Sequence, residues 1–391
     1  MSTQICPLCS SSDLSDALYK DHKAQITIAQ VKNEPTDFPT SPIELAQCQN
    51  CKFVFNSAFD KEKTLPVYAS QDYVVKSIIP GDMSRNMQTI YGEIIPFVEP
   101  NSVILEIGCG QAELARELAK KGKALVTVDP SVQLHLQNLP EGVNHTHVND
   151  YFTYDRVAEH GPFHLIMFRH LLEHLPEPMD FLKDVAKLTA DGGTVYIEVP
   201  DWDNVIENER FCDVFNDHFG YFQEPTLEYV MAPLGFTLRK SIRTAKTQHM
   251  GLFFQKTPQA DIRPKTPKDY KEKDFKAFYD HGKKLNSLFS GIDSAVVWGA
   301  GAHGQSILSN LSPENKAKIK YYFDKDKNKL NKYIPNTNAK IVYPSKDLLS
   351  DIDLVLISAV LYEDEIAKEL TNDLKFSGQI ARIGNGVNLA S

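Results

Sequence analysis

Three groups of residues in this sequence have the types and spacing that chemistry requires. Cys6-Pro7-Leu8-Cys9 and Cys48-Gln49-Asn50-Cys51 are two C-x-x-C knuckles separated by 38 residues. Each can turn two thiolates toward one ion, and together they make a tetrahedral sulfur site of the kind that suits zinc. Four protein ligands leave no open position for water, so the expected role is structural. Glu106, Gly108 and Gly110 set an acid before close-spaced glycines in VILEIGCG, and Asp129 ends the run VTVD 19 residues after Gly110. Such glycines let a backbone approach a ligand, and an acid at that distance can accept hydrogen bonds from ribose hydroxyls. The third group is FNDHFGYF, Phe215–Phe222, which gathers Asp217, His218 and Tyr221 among aromatic residues. Imidazole titrates near neutral pH, so a histidine held by Asp217 or another carboxylate can take a proton from a substrate.

Two further motifs offer competing chemistry. His170-Leu171-Leu172-Glu173-His174 fits the H-x-x-E-H pattern of zinc peptidases, which must lie on a helix with a third ligand further on. Here it follows directly from the strand-like FHLIMF. That position puts His174 at the sheet edge where open α/β folds bind ligands, as a candidate pocket residue, with His170 and Glu173 as hydrogen-bonded structural groups. Gly299, Gly301 and Gly304 fit G-x-G-x-x-G between AVVW and a helix, with Asp324 20 residues after Gly304. Taken alone, this fits an NAD-linked enzyme or a non-catalytic nucleotide-binding protein.

The elements that must position these residues follow from the pattern of apolar runs. From Asn101 onward, SVILEIG, ELARELAKKG, ALVTVD, FHLIMF, MDFLKDVAKLTADGG and TVYIEVP alternate strand and helix, the signature of a parallel sheet with crossover helices. TPQADIRPKTPK, residues 257–268, reads as a linker, and a second strand-turn-helix begins at Ser294. The expected division is a zinc-binding region at 1–80, an α/β domain at 81–256, a linker and helix at 257–290, and a smaller α/β domain at 291–391. The 391 residues carry a net charge of -9, with a pI near 5.8. That balance argues against a polyanion, so no nucleic-acid partner is expected. No stretch reads as a signal peptide or a membrane span, and two close cysteine pairs fit a reducing compartment, so a cytoplasmic location is expected.

The E-x-G-x-G turn resembles that of the class I S-adenosylmethionine (SAM)-dependent methyltransferases. The resemblance implies a Rossmann-like core in which Glu106 approaches the methionine end, Asp129 takes the ribose and Asp150, in VNDYF, lies near the adenine. The whole chain resembles the sugar C-methyltransferase family, on the two knuckles, QDYVVKS, EIGCG, RHLLEH, EVP, the segment around His218, WGAGAHG and YEDEI. The resemblance implies an N-terminal zinc-knuckle region, a class I methyltransferase core, and a second, C-terminal Rossmann-like α/β domain. It implies carbon methylation beside the ketone of a nucleotide-linked sugar, with His218 as general base, Asp217 beside it and Tyr73 from the N-terminal region. His174 and Tyr221 would serve the enolate oxygen. The chain departs from the family at Phe215, where a tyrosine is expected, at Gly220 for serine, at Val75 for a second tyrosine, and at His249-Met250-Gly251 for Gly-Gly-Ser. Methylation of a sugar oxygen or nitrogen, or of another small natural product, is the alternative, with His218 taking the proton directly.

Overall fold

The computed structural model describes residues 5–25, 30–69, 82–131, 143–257 and 266–389. Tyr73 and the rest of QDYVVKS, and most of the linker, lie outside the described residues. The segment between the two knuckles forms β1 (Tyr19–Gln25) and β2 (Thr40–Gln47), paired antiparallel, and β3 (Val54–Asn56) follows the second knuckle and pairs with β2. Alternation along β2 sends Ile43 and Leu45 inward, the period of two that a half-covered strand requires.

The central sheet is built from β4 (Val103–Ile107), β5 (Ala124–Val128), β6 (Asn144–Val148), β7 (Phe163–Arg169) and β8 (Thr189–Pro200), all parallel to their neighbours. The chain then leaves this sheet. β9 (Gly220–Tyr221), inside FNDHFGYF, pairs antiparallel with β3 and becomes the fourth strand of the N-terminal sheet. It returns as the hairpin β10 (Phe236–Thr244) and β11 (His249–Lys256), which adds antiparallel to β8. The resulting order is β10-β11-β8-β7-β4-β5-β6. From β4 the chain winds outward on one side through β5 to β6, then crosses back to β7 on the other side of β4 and winds outward to β8, which makes the β4/β7 boundary the switch point where such sheets open a crevice. The helices Glu113–Ala119 and Pro178–Leu188 each bury one apolar face, Leu114, Ala115 and Leu118 in the first, Leu182, Val185 and Ala186 in the second.

The third sheet comprises β12 (Ala295–Trp298), β13 (Ile319–Phe323), β14 (Lys340–Val342), β15 (Leu354–Ile357), β16 (Gln379–Arg382) and β17 (Asn388–Leu389), in the order β14-β13-β12-β15-β16-β17. Only β17 is antiparallel to its neighbour. Every residue of β12 and β15 is buried, which is why AVVW and LVLI read as unbroken apolar runs. No helix among the described residues is long and apolar enough to cross a membrane.

The N-terminal sheet does not keep a core to itself. Phe53, Phe55 and the knuckle cysteines pack in one cluster with Ile107, Phe168, Phe219 and Phe222. Ile43, Leu45 and Val54 pack in another with Trp202, Phe211, Tyr221, Phe275 and Val297. FNDHFGYF therefore lies where all three sheets meet. Gly220 is part of that fit: a Cβ there would stand 2.7 Å from Phe53 Cζ and 3.0 Å from the Phe222 ring. Gly220→Ala should lower unfolding free energy by about 1–3 kcal/mol through overpacking, measured by urea denaturation.

Candidate functional site

The four knuckle sulfurs converge. Cys6 Sγ lies 3.6 Å from Cys51 Sγ and Cys9 Sγ 3.5 Å from Cys48 Sγ, and all four fall within 4.8 Å of one another. Tetrahedral zinc with bonds of about 2.3 Å spaces its sulfurs by about 3.8 Å, so this donor set fits the ion. Both knuckles turn the same way: the residue after each second cysteine, Ser10 and Lys52, adopts a left-handed conformation (φ 60° and 59°). Hydrogen bonding to the Cys51 thiol pushes Cys6 down to about 6, while burial pushes Cys48 up to about 11. The cluster thus already favours a thiolate at Cys6, the form that binds metal.

At the switch point, the turn after β4 is held by its own backbone. Gly108 N donates to Val128 O at 2.8 Å, and Gly108 (φ 67°), Gly110 (φ 50°) and Ala112 (φ 53°) all lie in the left-handed region. Gly110 N and Ser131 N donate to the two carboxylate oxygens of Asp129 at 2.9 and 2.8 Å. Each oxygen keeps a further lone pair for a ligand. Glu106 is buried, its Oε2 has no hydrogen-bond partner, and burial pushes its carboxyl up to about 8. An orphaned buried carboxyl oxygen calls for a donor or a positive charge from a ligand. Asp150 stands past the end of β6, paired with Arg156 at 2.5 Å, on the same sheet edge as Asp129. The left-handed glycine turn, the Asp129 oxygens and the orphaned Glu106 oxygen are thus a donor and acceptor set that fits SAM.

Beside this turn, β7 ends in RHLLEH. The motif forms a short 3-10 turn, Leu172–His174, rather than a peptidase helix, and His170 is left-handed at φ 50°. His174 Nδ1 lies 2.8 Å from both Asp217 O and the Tyr68 hydroxyl, and Tyr68 donates to Asp217 Oδ2 at 3.1 Å. A carbonyl only accepts, so Nδ1 carries a proton. The rings of His174 and His218 meet edge to face with centroids 4.8 Å apart, and Glu173, His174 and His218 offer ligand atoms within 4.8 Å of one another. His218 is buried, and burial, with His174 second, pushes it down to about 3. Burial would raise the buried Glu173, but its pairing with His170 and the nearby His174 hold it at about 2.

The structure thus brings His218, His174 and Asp217 together. It turns the Asp217 carboxylate toward Tyr68, and the carboxylate grouped with His218 is Glu173. Tyr221 is buried behind them and donates its hydroxyl to Phe215 O at 2.9 Å. Sequence reasoning missed Tyr68, on the helix Lys61–Tyr68, and gave Glu173 only a structural part. The spacing H-x-x-E-H was the signal for Glu173; nothing in the sequence singled out Tyr68.

The second glycine loop repeats the hydrogen-bond pattern of the first with one donor shifted by a residue, and Lys329 Nζ adds a bond to Asp324 Oδ2 at 3.1 Å. Gly299 N donates to Phe323 O at 2.8 Å, while Ala300 N and Asp326 N donate to the two oxygens of Asp324 at 3.0 and 2.9 Å. Space is open beside Gly301, whereas a Cβ at Gly304 would overlap Gly299 O. Those are the two glycine roles of a nucleotide-binding turn, close approach to a ligand and close packing of helix on strand. The helix that follows, Ala302–Asn310, abuts the FNDHFGYF region: His303 Nε2 is 2.7 Å from Asp213 Oδ1, Ser306 Oγ donates to Cys212 O at 2.8 Å, and the rings of His303 and Phe215 lie 5.5 Å apart. Asp213 would be raised by burial, but His303 and Arg210 hold it well below the usual carboxylate range.

Comparison with known proteins adds the following. Residues 81–241 match the family model described as "Methyltransferase domain", and residues 291–379 match "C2185-like, N-terminal". The chain is 30% identical over 99 residues to the ubiquinone biosynthesis O-methyltransferase of Aliivibrio fischeri (strain MJ11), a match covering 24% of this chain and 42% of that protein. It is 25% identical over 127 residues to the C-methyltransferase NovU of Streptomyces niveus, covering 31% of this chain and 29% of that protein. The chain therefore spans less than half the length of these curated relatives. Among solved structures it resembles the magnesium protoporphyrin IX methyltransferase of Synechocystis PCC 6803 with bound SAM, at 15% identity and a TM-score of 0.39, over 52% of this chain and all of that one.

Proposed function

We propose, from a methyltransferase domain at residues 81–241 with a class I, Rossmann-like core, that this chain is a SAM-dependent methyltransferase acting on carbon beside the ketone of a nucleotide-linked sugar. The observation that carries the reading is the juxtaposition, at the β4/β7 crevice, of a ligand-ready glycine turn with a group of buried Glu173, half-buried His174 and buried His218, Gly108 lying against Leu171 of the same segment. The second glycine loop, abutting the same segment, supports a nucleotide on the acceptor.

Glu106, Gly108, Gly110, Asp129 and Asp150 would hold SAM, which when bound supplies an electrophilic methyl group. The chain's own residues handle the proton. His218 takes it from the carbon beside the ketone, Glu173 stabilises the imidazolium so formed, and His174, oriented by Asp217 O and Tyr68, faces the enolate oxygen. The close walls of Phe215 and Phe219 exclude water. The four cysteines would hold zinc as a structural ion that fixes β3.

Incubation with a 4-keto sugar nucleotide in deuterium oxide, without SAM, should wash deuterium into the position beside the ketone. Absence of exchange together with absence of binding would overturn the C-methyl reading. Methylation of oxygen or nitrogen is the second reading, favoured by Phe215, which brings no hydroxyl to the His218 ring it touches. Asp129→Ala should weaken SAM binding at least tenfold, about 1.4 kcal/mol, by calorimetry. Equal affinity in the variant would move the cofactor away from this turn.

A further inference from the structure

We propose that His170, Glu198 and His249 form a second metal site, for a first-row divalent cation, on the sheet edge beside the His218 group. The inference rests on the methyltransferase reading only for the cation's task, not for its binding. The three residues come from three places: His170 from the end of β7, Glu198 from β8, and His249 from the first residue of β11. The strand pairing brings them together, Arg169 lying opposite Glu198 and His249 opposite Pro200. Their ligand atoms fall within 4.8 Å of one another. His170 Nε2 and His249 Nδ1 both stand 4.0 Å from the same oxygen, Glu198 Oε1. That is too long for hydrogen bonds and leaves room between them for an ion.

Four observations point to a ligand. His249 Nδ1 is buried and has no hydrogen-bond partner. Glu198 is fully buried, with Oε2 fixed by Arg169 Nε at 2.5 Å and the Tyr196 hydroxyl at 3.3 Å, and Oε1 steadied by the Thr244 hydroxyl at 2.8 Å. The other nitrogen of His170, Nδ1, faces Glu173 Oε1 at 3.6 Å, the carboxylate–histidine arrangement that orients metal-bound imidazoles. His170 holds a left-handed φ of 50°, an unfavourable state for a non-glycine residue that is retained where the surroundings demand it. Two imidazoles and one carboxylate leave coordination positions open, and the 39% exposure of the His170 side chain leaves a path to them.

Glu173 joins this site to the other, facing His170 on one side and grouped with His174 and His218 on the other. A cation held here would take an oxygen of the acceptor and stabilise the negative charge that develops as His218 removes a proton. This site differs from the knuckles in its donors. Four thiolates select a soft ion such as zinc, whereas imidazole and carboxylate also accept Mn(II).

Mn(II) is therefore the probe. Titration of the purified zinc-loaded full chain, with free Mn(II) followed by electron paramagnetic resonance, should show one bound equivalent. His249→Ala and Glu198→Gln should each weaken it at least tenfold with knuckle zinc retained. Glu198→Gln leaves Arg169 without its charge partner and can cost folding, so His170→Gln, at a partly exposed side chain, gives the same test. No stoichiometric Mn(II) in the wild type, or equal uptake by the folded variants, would overturn the site. Uptake of Mn(II) by a chain that does not bind SAM would support the site and overturn the methyltransferase reading.

Discussion

Cys51→Ser is expected to abolish zinc binding by the proposed four-cysteine site and to unfold the N-terminal sheet with it. Structural zinc contributes on the order of 10 kcal/mol to small modules that cannot fold without it. Here the loss spreads, because Cys51 precedes Phe53 by two residues and β3 by three. Phe53 stacks on Phe55 with centroids 5.8 Å apart and lies 4.9 Å from the Phe222 ring, while Phe219 packs 6.0 Å from Phe55 and 5.4 Å from Phe59. β3 in turn carries β9 and the chain through His218. Atomic absorption should find zinc missing, and chemical denaturation should find a several-kcal/mol loss, together with release of the aromatic packing around Phe219 and Phe222. A metal-free variant with an unchanged denaturation midpoint would show that the four thiols have no structural ion. Chelation of the wild-type chain should reproduce the variant, with recovery on adding zinc back.

What could be read in the sequence was what depends on neighbours along the chain. Gly108, Gly110 and Asp129 are legible because the turn's left-handed φ angles and its hydrogen bonds are local demands that few residue types meet. The knuckles are legible for the same reason. β6 carries no strand signal in the sequence: its residues, NHTHV, sit on the outer edge and are at most partly buried, so no apolar run marks them. β9 is two residues long, too short for any periodicity, and exists only because β3 is there to receive it. Tyr68 and His249 illustrate the same limit at the candidate site. Each reaches its partners through contacts far apart in sequence, Tyr68 to His174 and His249 to Glu198, and such contacts leave no spacing to recognise. The departure His249-Met250-Gly251 was visible, but its neighbours were not. Gly251 itself follows from packing, since a Cβ there would stand 2.5 Å from the Tyr196 hydroxyl.

His218→Asn should reduce turnover by about a hundredfold to ten-thousandfold, the usual worth of a positioned base, while SAM affinity stays as in the wild type. Asparagine keeps the size and polarity of the site but cannot take a proton. The pH dependence of stability gives a second readout that needs no substrate. Burial and His174 push His218 from 6.5 down to about 3, so between those values the unfolded chain binds a proton that the native chain does not. The stabilisation is present above about pH 6.5 and is lost as pH falls through the window, at about 1.4 kcal/mol per pH unit. Glu173 and Glu198, both held at about 2, add the same sign below about pH 4.5. Glu106 acts the other way. With its carboxyl at about 8, it favours the native state at acid pH and loses that contribution as pH rises toward 8. His218→Asn should therefore flatten the wild-type slope between pH 6 and 5 by about one proton in urea titrations. An unchanged slope would mean that His218 is charged and solvated in the native chain, a state incompatible with a buried base. Unchanged turnover with the slope flattened would leave the residue buried and assign the proton transfer to another group.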